Sequence, residues 1–268
     1  LNVMALVDSA GFDAEALAQN EQMRVELSNY GLKPGDLTEL KQLFEHATTF
    51  GSLIQVPEGL AEKLPALKQL SEATSQDLFV SEALKRLGPL VQQAELLAGQ
   101  YDAVVANPPY MGSKGMNTLV KSFTKEHFPD AKSDLFACFM DRALVLASEN
   151  ARYSLITMPS WLFLSSFETL REKLFAESTI SSLLHMGRGI FGIDFGSTAF
   201  VVQKTKNRMA AARYFRLHKR NFQHIHLLDI AQLLKRSMQD AKFRYDFDSY
   251  RDSAPGTRIP KESMSSGE

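Results

Sequence analysis

Tyr101-Asp102-Ala103-Val104-Val105-Ala106-Asn107-Pro108-Pro109-Tyr110 is the stretch on which the reading of this chain turns. Residues 101–106 are a continuous run of small and β-branched side chains ended by a double proline, the pattern of a buried strand with a hard stop. Asn107 therefore sits at the carboxyl end of a strand, where open α/β sheets bind their ligands. The prolines fix two φ angles and remove two N–H donors, so the loop is stiff and offers carbonyl oxygens without competing amides. An Asn side-chain oxygen beside a prolyl carbonyl accepts both hydrogens of one planar amino group. Holding both protons pushes a ring-conjugated amine, whose lone pair is otherwise delocalised, toward a reactive geometry without a strong base. Tyr110 adds a face on which a planar base stacks, worth about 1–3 kcal/mol. The plainer alternative is a Pro-Pro turn that only ends a strand, with Asn107 capping its own backbone.

Outward from this loop, residues 101–205 alternate strand and helix, the signature of a parallel or mixed sheet covered by helices. Ser133-Asp134 opens a helix to about residue 148, with Ser133 as N-cap and Leu135, Phe136, Phe139, Ala143, Leu144 and Ala147 on its apolar side. A strand at 153–158, a helix at 167–176 and strands at 180–185 and 198–204 follow. Residues 1–100 read as mostly helical, an insertion ahead of the sheet, with one short strand expected at 50–56 before Pro57. Residues 206–268 read as a basic connector and the start of a target-recognition region, with a helix at 229–241.

With 268 residues, 44% hydrophobic and 23% charged, the composition is that of an ordinary globular protein and excludes a collagenous or largely disordered one. Thirty Lys and Arg against 31 Asp and Glu leave a net charge of -1, so any nucleic-acid interaction must be argued locally. The local candidate is 204–220, where Lys204, Lys206, Arg208, Arg213, Arg216, Lys219 and Arg220 occur without an acid and flank Tyr214 and Phe215. A solvated connector has the same composition. The single cysteine, Cys138, excludes an internal disulfide and a cysteine-rich zinc site and suits a reducing cytoplasm. No apolar run approaches the roughly 18 residues a membrane helix takes, and no secretory signal is present, so a cytoplasmic location is expected. The termini, Leu1-Asn2-Val3 and Ser265-Ser266-Gly267-Glu268, read as those of a piece of a longer protein.

The 101–110 segment resembles the catalytic segment of S-adenosylmethionine-dependent DNA methyltransferases that act on the exocyclic N6 amine of adenine. The likeness continues in order through Lys132-Ser133-Asp134-Leu135-Phe136-Ala137-Cys138-Phe139-Met140, Ile156-Thr157-Met158-Pro159-Ser160-Trp161-Leu162-Phe163-Leu164 and Phe167-Glu168-Thr169-Leu170-Arg171-Glu172-Lys173-Leu174. Phe50-Gly51-Ser52-Leu53-Ile54, Tyr110-Met111-Gly112-Ser113-Lys114-Gly115-Met116-Asn117 and Leu162-Phe163-Leu164-Ser165-Ser166-Phe167 are similar to the PglX family of large adenine-specific methyltransferases in BREX phage-defence systems. The resemblance covers about residues 48–204. It implies a Rossmann-like class I methyltransferase fold, α/β with a mixed sheet, present as its downstream portion behind the helical N-terminal insertion. It also implies methyl transfer from S-adenosylmethionine to a flipped adenine in duplex DNA, in phage defence and in company with other defence proteins. Asn107, Pro108, Pro109 and Tyr110 take the catalytic positions, Phe191 a second base-stacking position, and Phe139 and Asp134 cofactor positions. Lys114, Lys204, Lys206, Arg208, Arg213 and Arg216 are the expected DNA contacts, and no metal is implied.

The sequence departs from the family in one respect. The glycine-rich cofactor loop, typically Asp/Asn-Pro-x-Cys-Gly-x-Gly, does not occur before Asn107, and Phe50-Gly51-Ser52 supplies no acid near the cofactor. The main cofactor loop is therefore expected upstream, and residues 1–268 alone are expected to be inactive. Gly187-Arg188-Gly189-Ile190-Phe191-Gly192 matches the dinucleotide fingerprint in letters, but the next element expected is a strand where the fingerprint needs a helix. It reads better as a loop presenting Phe191. His218, His224 and His226 fit the polar face of a strand better than a zinc site. Gly112-Ser113-Lys114-Gly115 lacks phosphate-loop spacing, but Lys114, with Lys121 and Lys125, suits DNA phosphate. Two other functions compete: the same chemistry on adenine in RNA or on protein glutamine, and a non-catalytic DNA-binding or assembly module on the same fold.

Overall fold

The structure is a computed structural model that describes residues 3–190, 196–205, 213–217, 225–239 and 244–246. The chain divides into two compact units, Leu1–Gly99 and Gln100–Glu268.

The first unit is a helical cluster of α1 (Ala14–Gln19), α2 (Glu21–Asn29), α3 (Pro34–Leu43), α4 (Ala47–Phe50), α5 (Glu58–Ala61), α6 (Leu64–Ser71) and α7 (Leu78–Ala98). Short polar side chains set the starts: Asp13 accepts from Ala16 N–H, Asn20 from Met23 N–H and Asp77 from Phe79 and Val80 N–H. The stripes so oriented bury Leu17, Met23, Leu27, Leu37, Leu40, Phe44, Leu67, Leu87 and Val91 together. Gln93, fully buried on α7, exchanges two 3.0 Å hydrogen bonds with the backbone of Val7, tying the segment before α1 to the core. The strand expected at 50–56 does not form. Phe50 closes α4, Gly51 takes φ +57 and Gly51–Leu53 is a 3-10 turn. The apolar run is buried as a reversal among helices, and no described strand of this unit offers it a pairing edge.

The second unit is built on a six-stranded mixed sheet of β1 (Tyr101–Ala106), β2 (Ala147–Thr157), β3 (Thr179–Gly187), β4 (Ser197–Gln203), β5 (Arg213–Arg216) and β6 (Arg244–Asp246), in the order β1-β2-β4-β3-β5-β6. β1 runs parallel to β2 and β3 parallel to β5, while β4 is antiparallel to both its neighbours. Consequently β1, β2, β3 and β5 all end at one edge of the sheet. Helices α8 (Thr118–His127) and α9 (Leu135–Leu146) lie in the crossover from β1 to β2, and α10 (Glu168–Glu177) in the connection from β2 to β3. On one face Met186, Leu184, Ala199 and Leu217 pack with Ile225 and with α11 (Ile230–Gln239). The alternate residues Leu155, Leu183 and Phe200 line the other face, where Trp161 lies 5.1 Å from Phe200.

The α/β mixed-sheet class is as expected, with several local differences. Asp134, not Ser133, caps α9. β2 starts directly after α9, and its register with β1 is irregular until Arg152, because Asn150 adopts φ 66 and bulges the strand. The segment read as a connector contains β5. β1 is not a buried strand: it occupies the sheet margin, and Val105 is 81% exposed.

Cys138 lies wholly buried on α9, and burial, reinforced by Asp141 and Asp134, pushes its thiol up to about 12. At neutral pH it is an unreactive thiol. Alkylation of the folded chain should thus follow opening of α9 and run at least about 100-fold slower than in denaturant. Equal rates with and without denaturant would contradict this packing.

Candidate active site

Asn107, Pro108, Pro109 and Tyr110 leave the carboxyl end of β1, with Ala106 in register with Leu155 of β2. Asn107 and Pro109 are exposed, Pro108 is buried and Tyr110 half-buried. Asn107 is exposed, and among the described residues its side chain makes no hydrogen bond, not even a cap to its own loop. The Tyr110 ring meets Phe136 edge-on, with centroids 6.2 Å apart, and the fully buried Phe136 packs in turn on Phe167 at 5.6 Å. Burial pushes the Tyr110 phenol above its ordinary value, so it is a neutral ring and donor at physiological pH.

The exit of the loop is held by Asp134. Its Oδ1 accepts from Met111 N–H at 3.0 Å and from Phe136 N–H at 3.2 Å, while Leu135 N–H donates to Met111 O at 3.0 Å. One carboxylate thereby caps α9 and fastens the loop beside Tyr110. Asp134 is 8% exposed, and burial raises its carboxyl group despite the backbone donors. Phe139 is partly exposed on a stretch of α9 otherwise buried from Leu135 to Leu144.

The loop after β2 lies at the same edge. The Trp161 indole N–H donates to Thr157 Oγ1 (3.1 Å), which pairs with Thr198 Oγ1 (3.2 Å). Arg171, 1% exposed on α10, donates through Nη1 to Trp161 O at 2.7 Å and Leu164 O at 2.8 Å. A Cβ on Gly196, at φ +52, would stand 3.3 Å from Pro159 Cγ and 3.4 Å from Gly187 O, so the start of β4 approaches both neighbouring loops closely. The sequence reading names Phe136 only for the apolar side of its helix and Arg171 only within a matched segment. The available signal was an arginine at an apolar helix position, four residues after Phe167 and three before Leu174.

The basic residues do not gather. Lys114 is exposed beyond the loop and Arg213 at the start of β5. Lys204 lies at the end of antiparallel β4, on the opposite edge of the sheet, and its Nζ donates to Ala147 O at 2.8 Å. Arg216 is 6% exposed beside His185 in the sheet. The Lys204 ammonium is thus bonded to the backbone and the Arg216 guanidinium is buried. Phe191, Lys206, Arg208, His218 and His224 lie outside the described residues. Gly187 and Gly189 take φ +82 and +83, and the next described element is β4. Among the described residues no three His, Cys, Asp or Glu side chains cluster as metal ligands, and no helix is long and apolar enough to cross a membrane.

Residues 37–191 match the family described as Eco57I restriction-modification methylase. Over 213 residues the chain is 43% identical to the adenine-specific methyltransferase BrxX of Escherichia coli O9:H4 (strain HS), covering 74% of this chain and 17% of that protein. It is 35% identical over 192 residues to the adenine-specific methyltransferase PglX of Lacticaseibacillus casei (strain Zhang), covering 68% of this chain and 16% of that one. A solved type I restriction-modification methyltransferase subunit from Streptococcus thermophilus superposes with a TM-score of 0.42 at 17% identity, over 67% of this chain and 46% of that one.

Replacing Asp134 by Ala removes the cap of α9 and orphans Met111 N–H, so urea denaturation should show a loss of about 2 kcal/mol. Asp134→Asn keeps an acceptor oxygen and should lose less. An alanine variant within about 0.5 kcal/mol of wild type would show that the latch does not hold the loop.

Proposed function

Because this chain belongs to the Eco57I restriction-modification methylase family, we propose that it forms the target-base half of an adenine N6 DNA methyltransferase acting in phage defence. The observation that carries this reading is the exposed Asn107, its side chain without a hydrogen-bond partner among the described residues, at the carboxyl end of β1 beside a half-buried, neutral Tyr110. The names of the curated relatives, both adenine-specific methyltransferases, support the substrate class.

In this reading a flipped adenine lies on Tyr110, whose ring is steadied by Phe136, and stacking offsets part of the cost of leaving the duplex. The Asn107 side-chain oxygen and the Pro108 carbonyl accept the two amine hydrogens and orient the nitrogen toward the donor. Phe191 would cover the second face of the base. S-adenosylmethionine supplies an electrophilic methyl group, and Phe139 is the residue of this chain that would border its adenine. The chain's own contribution is orientation and exclusion of water, with no side chain needed as a strong base. Lys114 is the proposed DNA contact nearest the loop; Lys206 and Arg208 are further proposed contacts, and Arg213, at the start of β5, stands toward the opposite edge of the sheet. Residues 1–268 contain no glycine-rich cofactor loop, so by themselves they should bind S-adenosylmethionine weakly and methylate nothing.

The test is transfer of labelled methyl groups to duplex DNA from a host lacking adenine methylation, using the full-length natural protein and its defence partners. Label should appear on adenine and fall by at least about 100-fold in Asn107→Ala, the scale on which a positioned polar group acts. A folded protein that labels no adenine would sink the enzymatic reading in favour of a DNA-binding or assembly role.

A further inference from the structure

Residues 111–135 leave the sheet immediately after Tyr110, carry α8 and return to the start of α9. Their ends are zipped together: besides the bonds of Asp134 and Leu135 to Met111, Ser113 N–H donates to Ser133 O at 3.0 Å, and Gly112 bridges Asp134. The inside is filled by the buried side chains of Met116, Thr124, Phe128 and Ala131, with the Thr124 hydroxyl 3.7 Å from the Met116 sulfur. An excursion closed at its base and packed within is a compact projection from the site rather than a loose loop.

Its outer surface carries four exposed lysines. Lys114 and Lys132 stand near the base, and Lys121 and Lys125, four residues apart, share one flank of α8. The acids of the same excursion are the exposed Glu126, the half-buried Asp130 and the buried Asp134, whose carboxylate is directed at the backbone. Among the described residues none of the four ammonium groups is ion-paired. Lysines in a structural role lie against carboxylates or carbonyls, as Lys173 does with Asp141 and Lys204 with Ala147 O. Among the described residues these four have no such partner, and they begin four residues beyond the segment that would hold a flipped base.

We propose that the 111–135 excursion is a phosphate-gripping arm that contacts the DNA backbone beside the target base, with Lys121 and Lys125 as its principal cations. The inference rests on the reading of Asn107–Tyr110 as a base holder, and adds to it the surface that fixes the duplex relative to that loop. Contacts of this kind are electrostatic and independent of sequence, so they are read in the salt dependence of binding.

The experiment compares the full-length natural protein with its Lys121→Gln/Lys125→Gln and Lys121→Arg/Lys125→Arg variants, by fluorescence anisotropy on a labelled duplex across a salt series. The Gln pair should lower the slope of log K against log salt by about 2, since each phosphate contact contributes about 0.9, while the Arg pair keeps the wild-type slope. Matching thermal melts establish that the variants are folded. A folded Gln pair with the wild-type slope and affinity assigns these lysines to some other partner and overturns the arm. Methyl transfer by the wild-type protein is measured alongside. If it labels adenine while the Gln pair keeps the wild-type slope, only the arm fails; if it labels no adenine, the base-holding reading fails whatever the slope.

Discussion

Parallel pairing of β1 with β2 fixes where this unit can do chemistry. Two strands running the same way cannot be joined by a hairpin, so the chain must cross over the sheet before it returns. That crossover supplies α8 and α9, and it ends both strands at a common edge. With β3 aligned the same way through antiparallel β4, β1, β2 and β3 end at that edge, where a Cβ on Gly196 would crowd Pro159 after β2 and Gly187 at the end of β3. The position of Asn107 is thus a product of topology before it is a product of local sequence.

Two buried charged side chains turn that convergence into a defined surface. Burying an ionic group is costly unless it is bonded. Asp134 meets that condition by accepting backbone N–H groups from both the loop and the helix, and Arg171 by donating to two carbonyls of the loop after β2. Both of the Arg171 bonds to these carbonyls come from its Nη1. Each device ties a loop to a helix packed on the sheet, so the loops inherit the rigidity of the core.

The motif and the order of elements downstream were legible because they rest on local rules: β-branched runs, prolines that stop strands, and apolar spacing in helices. What escaped were effects that depend on partners distant in sequence. Ser133 and Asp134 are both competent caps, and only the approach of Met111 selects Asp134. Phe50 to Val56 has strand-like composition, yet the left-handed turn at Gly51 and the helices around it leave no pairing edge. Basic residues spaced along 204–216 suggested one surface, but alternation in β5 and the antiparallel course of β4 send Arg216 inward and Lys204 to the far edge.

The outer margin of β1 carries no strand among the described residues, and Val105 beside it is 81% exposed. An exposed strand margin ending at Asn107 leaves the flank of this loop open, so the chemistry proposed for it is bounded by the sheet on one side only.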